Sequence, residues 1–329
     1  MPQMKVSREV WPAKGAFVIS RGAKTSAETL LVEVGAGEMR GRGECTPYKR
    51  YGESLDSVEA ALQGVAAAVE AGAGRAEIQS LLPAGAARNA LDCALWDLEA
   101  KQAGRRVWDL LGLPEPRPVE TAFTLSLGTP DAMGEAARAA RAEGRMLLKL
   151  KLGGDAFDLA RVAAAREASP EARLVVDANE AWDEARYLAF VPAFADLGVA
   201  LIEQPFPAQA DDLLRELPRP TPVYADESCH DRASLARLKG LYDGINVKLD
   251  KAGGLTEALA LKAEAQAEGF GIMVGCMLAG SLAMAPALIL AQGAEFADLD
   301  GPLLLAKDRA PGLAYRGAWV GAPEAALWG

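Results

Sequence analysis

The chain has 329 residues, of which 50% are hydrophobic, 24% are charged and 6% are aromatic. This is the composition of a globular protein with a large core or two domains, and it excludes a disordered or fibrous chain. Lys and Arg number 35 against 45 Asp and Glu, and the resulting net charge of −10 argues against nucleic acid or an anionic membrane surface as a partner.

The N-terminal segment and the cysteines point to a reduced compartment. The segment MPQMKVSREVWPAKG has no apolar core of about 7 to 15 residues, so no secretory signal is expected. The cysteines show no C-x-x-C pair and no dense spacing, which favours free thiols in a cytoplasm. They are Cys45, Cys93, Cys229 and Cys276.

Residues 1–118 are predicted to form an α+β capping domain. Alternation in Thr29–Val34 (TLLVEV) indicates an antiparallel strand, and GAGEMRGRGE after it indicates a turn. Ala86–Ala103 has apolar residues at helical spacing and predicts a helix. The glycines within 35–43 do not form G-x-G-x-x-G, because Arg40 stands at the last motif position, so no dinucleotide fold is expected.

From residue 119, β-rich runs alternate with segments of helical period at intervals of about 25 residues. Eight such units with hydrophobic strands predict an α/β fold, a (β/α)8 barrel over 119–305 that is leaner than the typical ~250 residues. Pro and Gly interrupt the eighth helical segment, PLLLAKDRAPG. Residues 306–329, with the strand-like LAYRGAWV, are predicted to return to the capping domain. The runs are TAFTLSL, MLLKLKL, RLVVDAN, VALIEQP, PVYADES, GINVKLD, GIMVGCM and EFADLD.

One uncharged stretch, residues 269–294, is long enough to cross a bilayer. Its glycines and Pro286 divide it into a strand, GIMVGCM, and a helix, LAMAPALILAQ. A membrane span is therefore not expected.

Strongly polar residues end successive strands of the predicted barrel, where the active face of such barrels lies. Three carboxylates without a nearby imidazole or thiolate predict a site for Mg²⁺, with Mn²⁺ as a substitute. The alternative for each acid is that it caps the helix that follows. His230 is the one histidine, so acid/base chemistry falls to Lys, carboxylate or Tyr. The strand-end residues are Lys149, Lys151, Asp177, Glu203, Asp226 and Lys248.

The lysines on either side of the acids predict proton transfer. Their alternative is the ordinary surface lysine with an apolar stem. A lysine near a divalent ion is expected to have its pKa lowered from about 10.4 toward ~7 to 8, which suits a base. The ion would polarise a substrate carboxylate and hold the enediolate formed when the lysine removes the neighbouring proton. Lysines on opposite sides predict two bases facing one carbon, and hence racemisation or epimerisation.

Several longer motifs point to one family. They are GECTPYKRYGES, LPAGAARNALDCALWDLEAK, LLKLKL, VDANEAW, IEQPFPAQ, ADESCH, NVKLDKAGGLTEALAL, GCML and FADLDGP. Over nearly the whole chain they resemble the enolase superfamily, and within it the L-Ala-D/L-Glu dipeptide epimerases. The resemblance implies a capping domain over a barrel, Mg²⁺ held by Asp177, Glu203 and Asp226, and Lys151 and Lys248 as opposed bases. Lys149 would then neutralise the substrate carboxylate.

The same resemblance implies the residues that bind the two ends of a small dipeptide substrate. Asp298 and Asp300 would hold its free α-ammonium, with Thr124, Cys276 and Met277 beside the substrate. The alternative for the Asp pair is a turn before Gly-Pro. Arg21 and Lys24, in ISRGAKTS, are the candidate cations for its distal carboxylate.

Three other segments leave alternatives open. Tyr48, Arg50 and Tyr51 could line a loop that closes over the site, or they could only join the domains. His230 is expected to be structural or to support the site. Leu278–Ser281 is small and apolar where relatives often carry polar residues.

Two rival functions share this scaffold. A lyase or cycloisomerase, such as an acid-sugar dehydratase or an o-succinylbenzoate synthase, would use the same metal and lysines, but its substrate has no α-ammonium for the Asp pair. A barrel that binds a ligand without turnover is the second rival. For the epimerase, L-Ala-D-Glu suggests peptidoglycan recycling in the cytoplasm, and a homo-oligomer is expected by default.

Overall fold

An antiparallel sheet of three strands opens the chain. The computed structural model describes residues 3–329, so the first two residues of the segment examined for a secretory signal lie outside it. The segment GAGEMRGRGE, predicted as a turn, is mostly strand, and only residues 37 and 38 turn. The strands pair in the order β1–β2–β3, and are β1 (Gln3–Ile19), β2 (Gly22–Ala36) and β3 (Met39–Cys45).

Four helices follow, and the third has the predicted bounds. This helix, α3, lies directly on β3 because two strand positions are glycine. A methyl group at Gly41 or Gly43 would come within 2.1 Å of a helix carbonyl oxygen, that of Ala94 or Ala90. These glycines therefore serve close helix-to-sheet packing. The helices are α1 (Leu55–Glu70), α2 (Arg75–Leu81), α3 (Ala86–Ala103) and α4 (Val107–Leu110), and a 3₁₀ helix spans Lys49–Tyr51.

The predicted barrel is confirmed. After a short strand, β4 (Val119–Glu120), eight parallel strands pair in chain order. The N–H of Ala122 donates to the carbonyl oxygen of Ala297 at 2.7 Å, and this bond brings the last strand against the first. The strands are β5 (Phe123–Leu125), β6 (Leu147–Lys151), β7 (Arg173–Asp177), β8 (Val199–Glu203), β9 (Val223–Ala225), β10 (Gly244–Lys248), β11 (Gly271–Gly275) and β12 (Phe296–Ala297).

The outer helices are less regular than the sequence rhythm predicts. Only a 3₁₀ helix, Asp211–Arg215, follows β8, because prolines on both sides leave little chain that can be helical. The eighth helix is a single turn, as the Pro and Gly in its segment indicate. The helices are α5 (Pro130–Ala142), α6 (Asp158–Ala168), α7 (Glu184–Asp196), α8 (Leu235–Leu238) after a 3₁₀ turn (Arg232–Ser234), α9 (Leu249–Ala252), α10 (Leu255–Ala267), α11 (Ser281–Leu290) and α12 (Gly301–Leu304).

The C-terminal segment differs from the single strand that was expected. LAYRGAWV forms a hairpin, β13 (Tyr315–Arg316) and β14 (Trp319–Val320), which pairs with β4 and not with the strands of the capping sheet. The chain end does reach α3, where the indole N–H of Trp328 donates to the Cys93 carbonyl oxygen at 3.0 Å.

The interior of the barrel is layered. Alternate residues of the strands form an apolar cluster that includes Leu147, Val175 and Leu201. Because side chains alternate in direction along a strand, the residues two positions further along face inward as well, directly above this cluster. The uncharged stretch 269–294 contains β11 and α11, and within residues 3–329 no helix has the length and hydropathy needed to cross a membrane.

Candidate active site

The polar residues at the strand ends meet at one end of the barrel. Lys151 pairs with Asp177 across neighbouring strands, and Asp177 pairs with Glu203 in the same way. Asp226 directly follows β9, and Lys248 ends β10. The structure thus brings together six buried side chains, those of Lys149, Lys151, Asp177, Glu203, Asp226 and Lys248.

The three carboxylates face one point. One oxygen from each of Asp177, Glu203 and Asp226 lies within 4.8 Å of the others, close enough to hold a metal ion. One oxygen of each is held by a backbone N–H, a side-chain amide or the Lys251 ammonium. Asp177 Oδ1 accepts the N–H of Asn179 at 2.9 Å, Glu203 Oε1 accepts the side-chain amide of Asn246 at 2.8 Å, and Asp226 Oδ1 accepts the ammonium of Lys251 at 2.7 Å. The other oxygen of each carboxylate contacts a lysine ammonium.

Two lysines flank this acid triad. Lys151 Nζ lies 2.5 Å from Asp177 Oδ2, and Lys248 Nζ lies 2.6 Å from Asp226 Oδ2. Since β6 and β10 stand on opposite sides of the strands that carry the acids, the two amines approach from opposite flanks. Lys149, two residues before Lys151 on β6, contacts the third acid, with its Nζ 2.7 Å from Glu203 Oε2.

Neighbouring charges shift the pKa values of the acids in this cluster. Burial favours the neutral form of Asp177, but Lys151 and Lys149 outweigh it and lower its pKa to about 2. Burial and the Asp177 carboxylate raise the pKa of Glu203 to about 7. Two neighbouring acids of the triad thus have pKa values shifted in opposite directions, because their balance of burial and lysine contacts differs.

The expected lowering of the lysine pKa assumes a bound divalent ion and stays a prediction. Burial opposes the charged form of Lys248, yet the Asp226 and Glu203 carboxylates outweigh burial, and its pKa is raised. The pKa of Lys149 is raised for the same reason, with Asp298 as the strongest of the opposing carboxylates. The acids that each amine contacts therefore act against the lowering that is expected from an ion. A divalent cation bound between those acids would lower the pKa of the lysines.

The Asp pair that follows the last barrel strand reaches the same cluster of charged side chains. Asp298 Oδ2 lies 2.9 Å from Lys149 Nζ, and Asp298 Oδ1 is buried without a hydrogen-bond partner. Asp300 Oδ2 accepts the backbone N–H of Thr124 at 2.6 Å. Burial and Asp298 raise the pKa of Asp300 to about 7. Asp298 thus has one buried oxygen free for a donor from a ligand.

Three further predicted residues border this pair. Thr124 sits on β5 next to Asp300, as described. Cys276 is half-buried, and burial together with Asp298 and Asp300 raises the pKa of its thiol. Met277 follows it and is also half-buried. The apolar segment after Met277 packs under β1, where Leu278 joins a cluster with Ala27 and Leu305.

The two candidate cations near the β1–β2 turn have different surroundings. Arg21 is already engaged by protein acceptors, namely Glu227 Oε1 at 2.6 Å and the carbonyl oxygen of Asn179 at 2.7 Å. Lys24 forms no ion pair within residues 3–329, and its ammonium lies 5.3 Å from the ring centre of Tyr48. Loss of surrounding water lowers the pKa of Lys24. Of the two candidates, Lys24 is therefore better able to bind a carboxylate of a ligand.

Two residues that were not predicted, Asn246 and Lys251, also contact the acid triad. Asn246 lies two residues before Lys248, so that the strand period of two directs it to the same face. Lys251 donates to the Asp226 and Asn246 carbonyl oxygens at 2.5 and 2.9 Å, besides its bond to the Asp226 carboxylate. His230 packs against Tyr51 and contacts the Glu227 carbonyl oxygen at 3.2 Å, which agrees with a structural role.

Comparison with known families agrees with this architecture. Residues 1–112 match the family described as mandelate racemase / muconate lactonizing enzyme, N-terminal domain, and residues 132–304 match the enolase C-terminal domain-like family. The chain belongs to the enolase superfamily. The strand-end acids and lysines of this superfamily member therefore lie within the matched C-terminal domain.

Relatives of this enolase-superfamily chain include an L-Ala-D/L-Glu epimerase and an N-acetyl-D-glutamate racemase. It is 50% identical to the L-Ala-D/L-Glu epimerase of Escherichia coli K12 over 315 residues, which covers 96% of this chain and 98% of the relative. It is 43% identical to the N-acetyl-D-glutamate racemase of a Pseudoalteromonas species, over 91% of this chain and 95% of that protein.

Solved structures of superfamily members share the whole fold. An Agrobacterium tumefaciens protein with homology to dipeptide epimerases, with bound sodium and L-Ala-L-Glu and an ordered loop, superposes with a TM-score of 0.97 at 49% identity, and all of both chains is covered. The dipeptide epimerase of Enterococcus faecalis V583, complexed with Mg and L-Leu-L-Tyr, superposes with a TM-score of 0.90 at 30% identity, over 98% of this chain and 97% of that one.

Proposed function

We propose that this chain is a Mg²⁺-dependent isomerase that epimerises the C-terminal residue of a dipeptide, with L-Ala-D/L-Glu as its substrate pair. The observation that carries the proposal is the position of Lys151 and Lys248 on opposite flanks of three carboxylates that face one point. Two bases on opposite sides of one carbon invert it, whereas an elimination needs only one base and a leaving group.

The acid triad fits a small, hard cation. One oxygen of each carboxylate lies within 4.8 Å of those of the other two, and Glu203 Oε2 contacts the ammonium of Lys149. All-oxygen donor sets of this kind suit Mg²⁺, and Mn²⁺ can substitute. Asp177, Glu203 and Asp226 would hold the ion, which supplies positive charge where the substrate carboxylate becomes more negative as its α-proton leaves.

The two lysines perform the two proton transfers of the reaction. The neutral amine of one takes the α-proton from its side, and the ammonium of the other gives a proton to the opposite side. One C–H bond breaks, another forms, and the configuration inverts, while the reverse reaction exchanges the two roles. Lys149 adds a fixed positive charge beside the substrate carboxylate, where it stabilises developing negative charge.

The two ends of the dipeptide have separate binding groups in this proposal. Asp298, with its unpartnered buried oxygen, and Asp300 would accept the α-ammonium, since charge-assisted hydrogen bonds to a carboxylate are among the strong ones. Lys24 would bind the distal carboxylate of the glutamate residue. Arg21 is the weaker choice because Glu227 and Asn179 already occupy its guanidinium.

The lyase alternative is less well supported. A dehydratase or cycloisomerase would leave Asp298 Oδ1 buried with no donor, because its substrate has no ammonium group. An unpaired buried carboxylate oxygen is costly, whereas an ammonium of the substrate would satisfy it.

The cellular setting remains a prediction from chemistry. The four cysteines form no disulfide within the described residues, which supports a reducing cytoplasm. Epimerisation of L-Ala-D-Glu would serve peptidoglycan recycling. A homo-oligomer and the lack of a nucleic-acid partner also remain predictions.

One assay separates these functions. L-Ala-L-Glu is incubated with the protein and Mg²⁺ in D₂O, and NMR follows the glutamate α-proton and the diastereomer ratio. Exchange together with appearance of the L-Ala-D-Glu isomer supports the proposal. N-acetyl-L-glutamate, which lacks the ammonium, is the matched comparison and should react much more slowly. Faster turnover of N-acetylglutamate than of the dipeptide would contradict the proposed substrate. Dehydration of a sugar acid with no dipeptide exchange would contradict the proposed reaction.

A further inference from the structure

A register shift separates the tip of the β1–β2 hairpin, residues 17–24, from the rest of the capping sheet. The strand pairing is regular up to Pro12 opposite Ser26, then shifts register, and resumes with Phe17 opposite Lys24. Four residues of β1 therefore stand opposite one residue of β2. An insertion of this kind bends a hairpin and interrupts its ladder, so the tip depends on contacts outside the sheet for its position.

Two loops of the barrel hold this hairpin tip. On one side, the Val18 carbonyl oxygen accepts the N–H of Leu127 at 2.9 Å, from the loop after β5. On the other side, the Ser20 hydroxyl and the Arg21 guanidinium both donate to the carbonyl oxygen of Asn179, at 3.2 and 2.7 Å. Asn179 belongs to the loop that follows Asp177. The hairpin tip is thus tied to a loop that continues from one acid of the triad.

Glu180 is the centre of these contacts. Its carboxylate receives a bidentate pair of bonds from Arg50, both at 2.7 Å, and lies 3.4 Å from Arg21. It also accepts the N–H of Ala208 at 2.9 Å, from the loop after β8. The Glu180 side chain is only 7% exposed, whereas Arg21 and Arg50 are 27% and 29% exposed, so the carboxylate is the buried partner of both ion pairs. The Glu180 carboxylate therefore joins three parts of the chain to its own loop after β7. These are the hairpin tip, the 3₁₀ helix Lys49–Tyr51 and the loop after β8.

The backbone at this position is unusual. Asn179 and Glu180 have φ values of 46° and 67°, in the left-handed region that residues with a Cβ rarely adopt. Such conformations persist where surrounding contacts hold them, and they cluster at functional sites. Here the N–H of Glu180 donates to the Gln204 carbonyl oxygen at 2.9 Å. The turn leaves the Asn179 carbonyl for Arg21 and the Glu180 carboxylate for Arg50.

We propose that Glu180 is a positioning residue that holds the hairpin tip over the acid triad through Arg21 and Arg50. The tip carries Lys24, so Glu180 sets the position of the cation assigned to the distal carboxylate of the substrate. This last step rests on the proposed function. The seating of the tip itself rests only on the contacts above.

The test compares Glu180→Gln with a matched variant, Glu257→Gln. Glu257 also receives two bonds from one arginine, Arg232, both at 3.0 Å, but it lies on α10, away from the hairpin tip. Hydrogen exchange of residues 17–24 is measured by mass spectrometry without substrate, and KM and kcat are measured for L-Ala-L-Glu. Charge-assisted bonds of this kind are worth on the order of a tenfold change in an equilibrium.

In Glu180→Gln, exchange of the hairpin tip should therefore rise about tenfold and KM should rise by a similar factor, with kcat within about threefold. Glu257→Gln should change neither. Unchanged exchange at the tip in a folded Glu180→Gln protein would overturn the proposal. If that variant does not fold, Arg50→Gln replaces it, with Arg50→Lys expected to restore part of the protection. Tip exchange that responds in a protein without epimerase activity would retain the positioning role and reject the proposed substrate.

Discussion

The side-chain amide of Asn246 donates to Glu203 Oε1 at 2.8 Å, while Glu203 Oε2 lies 2.7 Å from Lys149 Nζ. Asn246 carries no charge, so its removal changes the geometry of the acid without changing the charge of the site. We expect Asn246→Ala to weaken Mg²⁺ binding about tenfold or more, the usual effect of losing a residue that orients a metal ligand. Isothermal titration with Mg²⁺ measures this. Gln292→Ala, which removes an amide bonded to Arg117 at the opposite end of the barrel, is the control. Equal affinity in wild type and Asn246→Ala would contradict the orienting role.

Gly275 leaves the space that Asn246 and Lys248 occupy. A methyl group there would lie 2.6 Å from Asn246 Oδ1 and 3.0 Å from Lys248 Cε. We expect Gly275→Ala to lower kcat about a hundredfold, because a displacement of about 1 Å in a catalytic group has this size of effect. Gly64→Ala, in the middle of α1 with no atom within 4 Å of the added methyl, should keep full activity and gain about 0.5 to 1 kcal/mol of stability. Steady-state kinetics and urea unfolding check the pair. Wild-type kcat in Gly275→Ala would show that the packing is not tight.

Lys24 and Arg21 should differ in how they affect substrate choice. Lys24→Met removes the cation without an ion-pair partner, so kcat/KM for L-Ala-L-Glu should fall about tenfold or more while that for L-Ala-L-Leu changes little. Arg21→Gln releases the hairpin tip and should lower kcat/KM for both dipeptides. Equal losses for both substrates in Lys24→Met would remove Lys24 from the distal carboxylate site.

Asp250 should make the protein less stable as pH rises. Burial raises its pKa to about 7, although it accepts the N–H of Thr46 at 3.1 Å and the amide of Asn89 at 2.9 Å. Between its ordinary value of 3.8 and about 7, the folded state keeps a proton that the unfolded state releases. Stability from this group is thus complete below the lower value and is lost as pH rises to about 7. Asp250→Asn keeps both acceptor contacts, so its melting temperature between pH 5 and 8 should depend less on pH than that of wild type. Parallel pH profiles of the two proteins would rule out this contribution.

Much of the fold and the outline of the site were predictable from the sequence. The fold follows from the regular interval between the β-rich runs, and the site follows from the polar residues at the ends of those runs. Eight β-rich runs at a regular interval predict a barrel, and polar residues at strand ends must meet where parallel strands end together. Asp177, Glu203 and Asp226 needed no further information to be placed near one another. The helix bounds of Ala86–Ala103 followed from a clear apolar stripe and a glycine at its end.

Other features depend on contacts between distant segments, and local pattern does not encode them. Glu180 gains its partners from a hairpin and a loop more than a hundred residues earlier in the chain, so nothing near it in sequence marks its role. Lys251 follows Lys248 by three residues but donates back to Asp226, which sequence spacing alone does not reveal. The raised pKa of Lys248 similarly depends on three-dimensional contact with acids from other strands.

The most direct test of the two-base account is hydrogen exchange in the single variants Lys151→Ala and Lys248→Ala. Each is incubated with Mg²⁺ in D₂O, with L-Ala-L-Glu and L-Ala-D-Glu in separate reactions, and NMR follows the glutamate α-proton. Neither variant should epimerise, each should exchange the α-proton of only one diastereomer, and the two variants should differ in which one they exchange. Full epimerisation by both variants, or exchange of the same diastereomer by both, would contradict the placement of the two amines on opposite sides of one carbon.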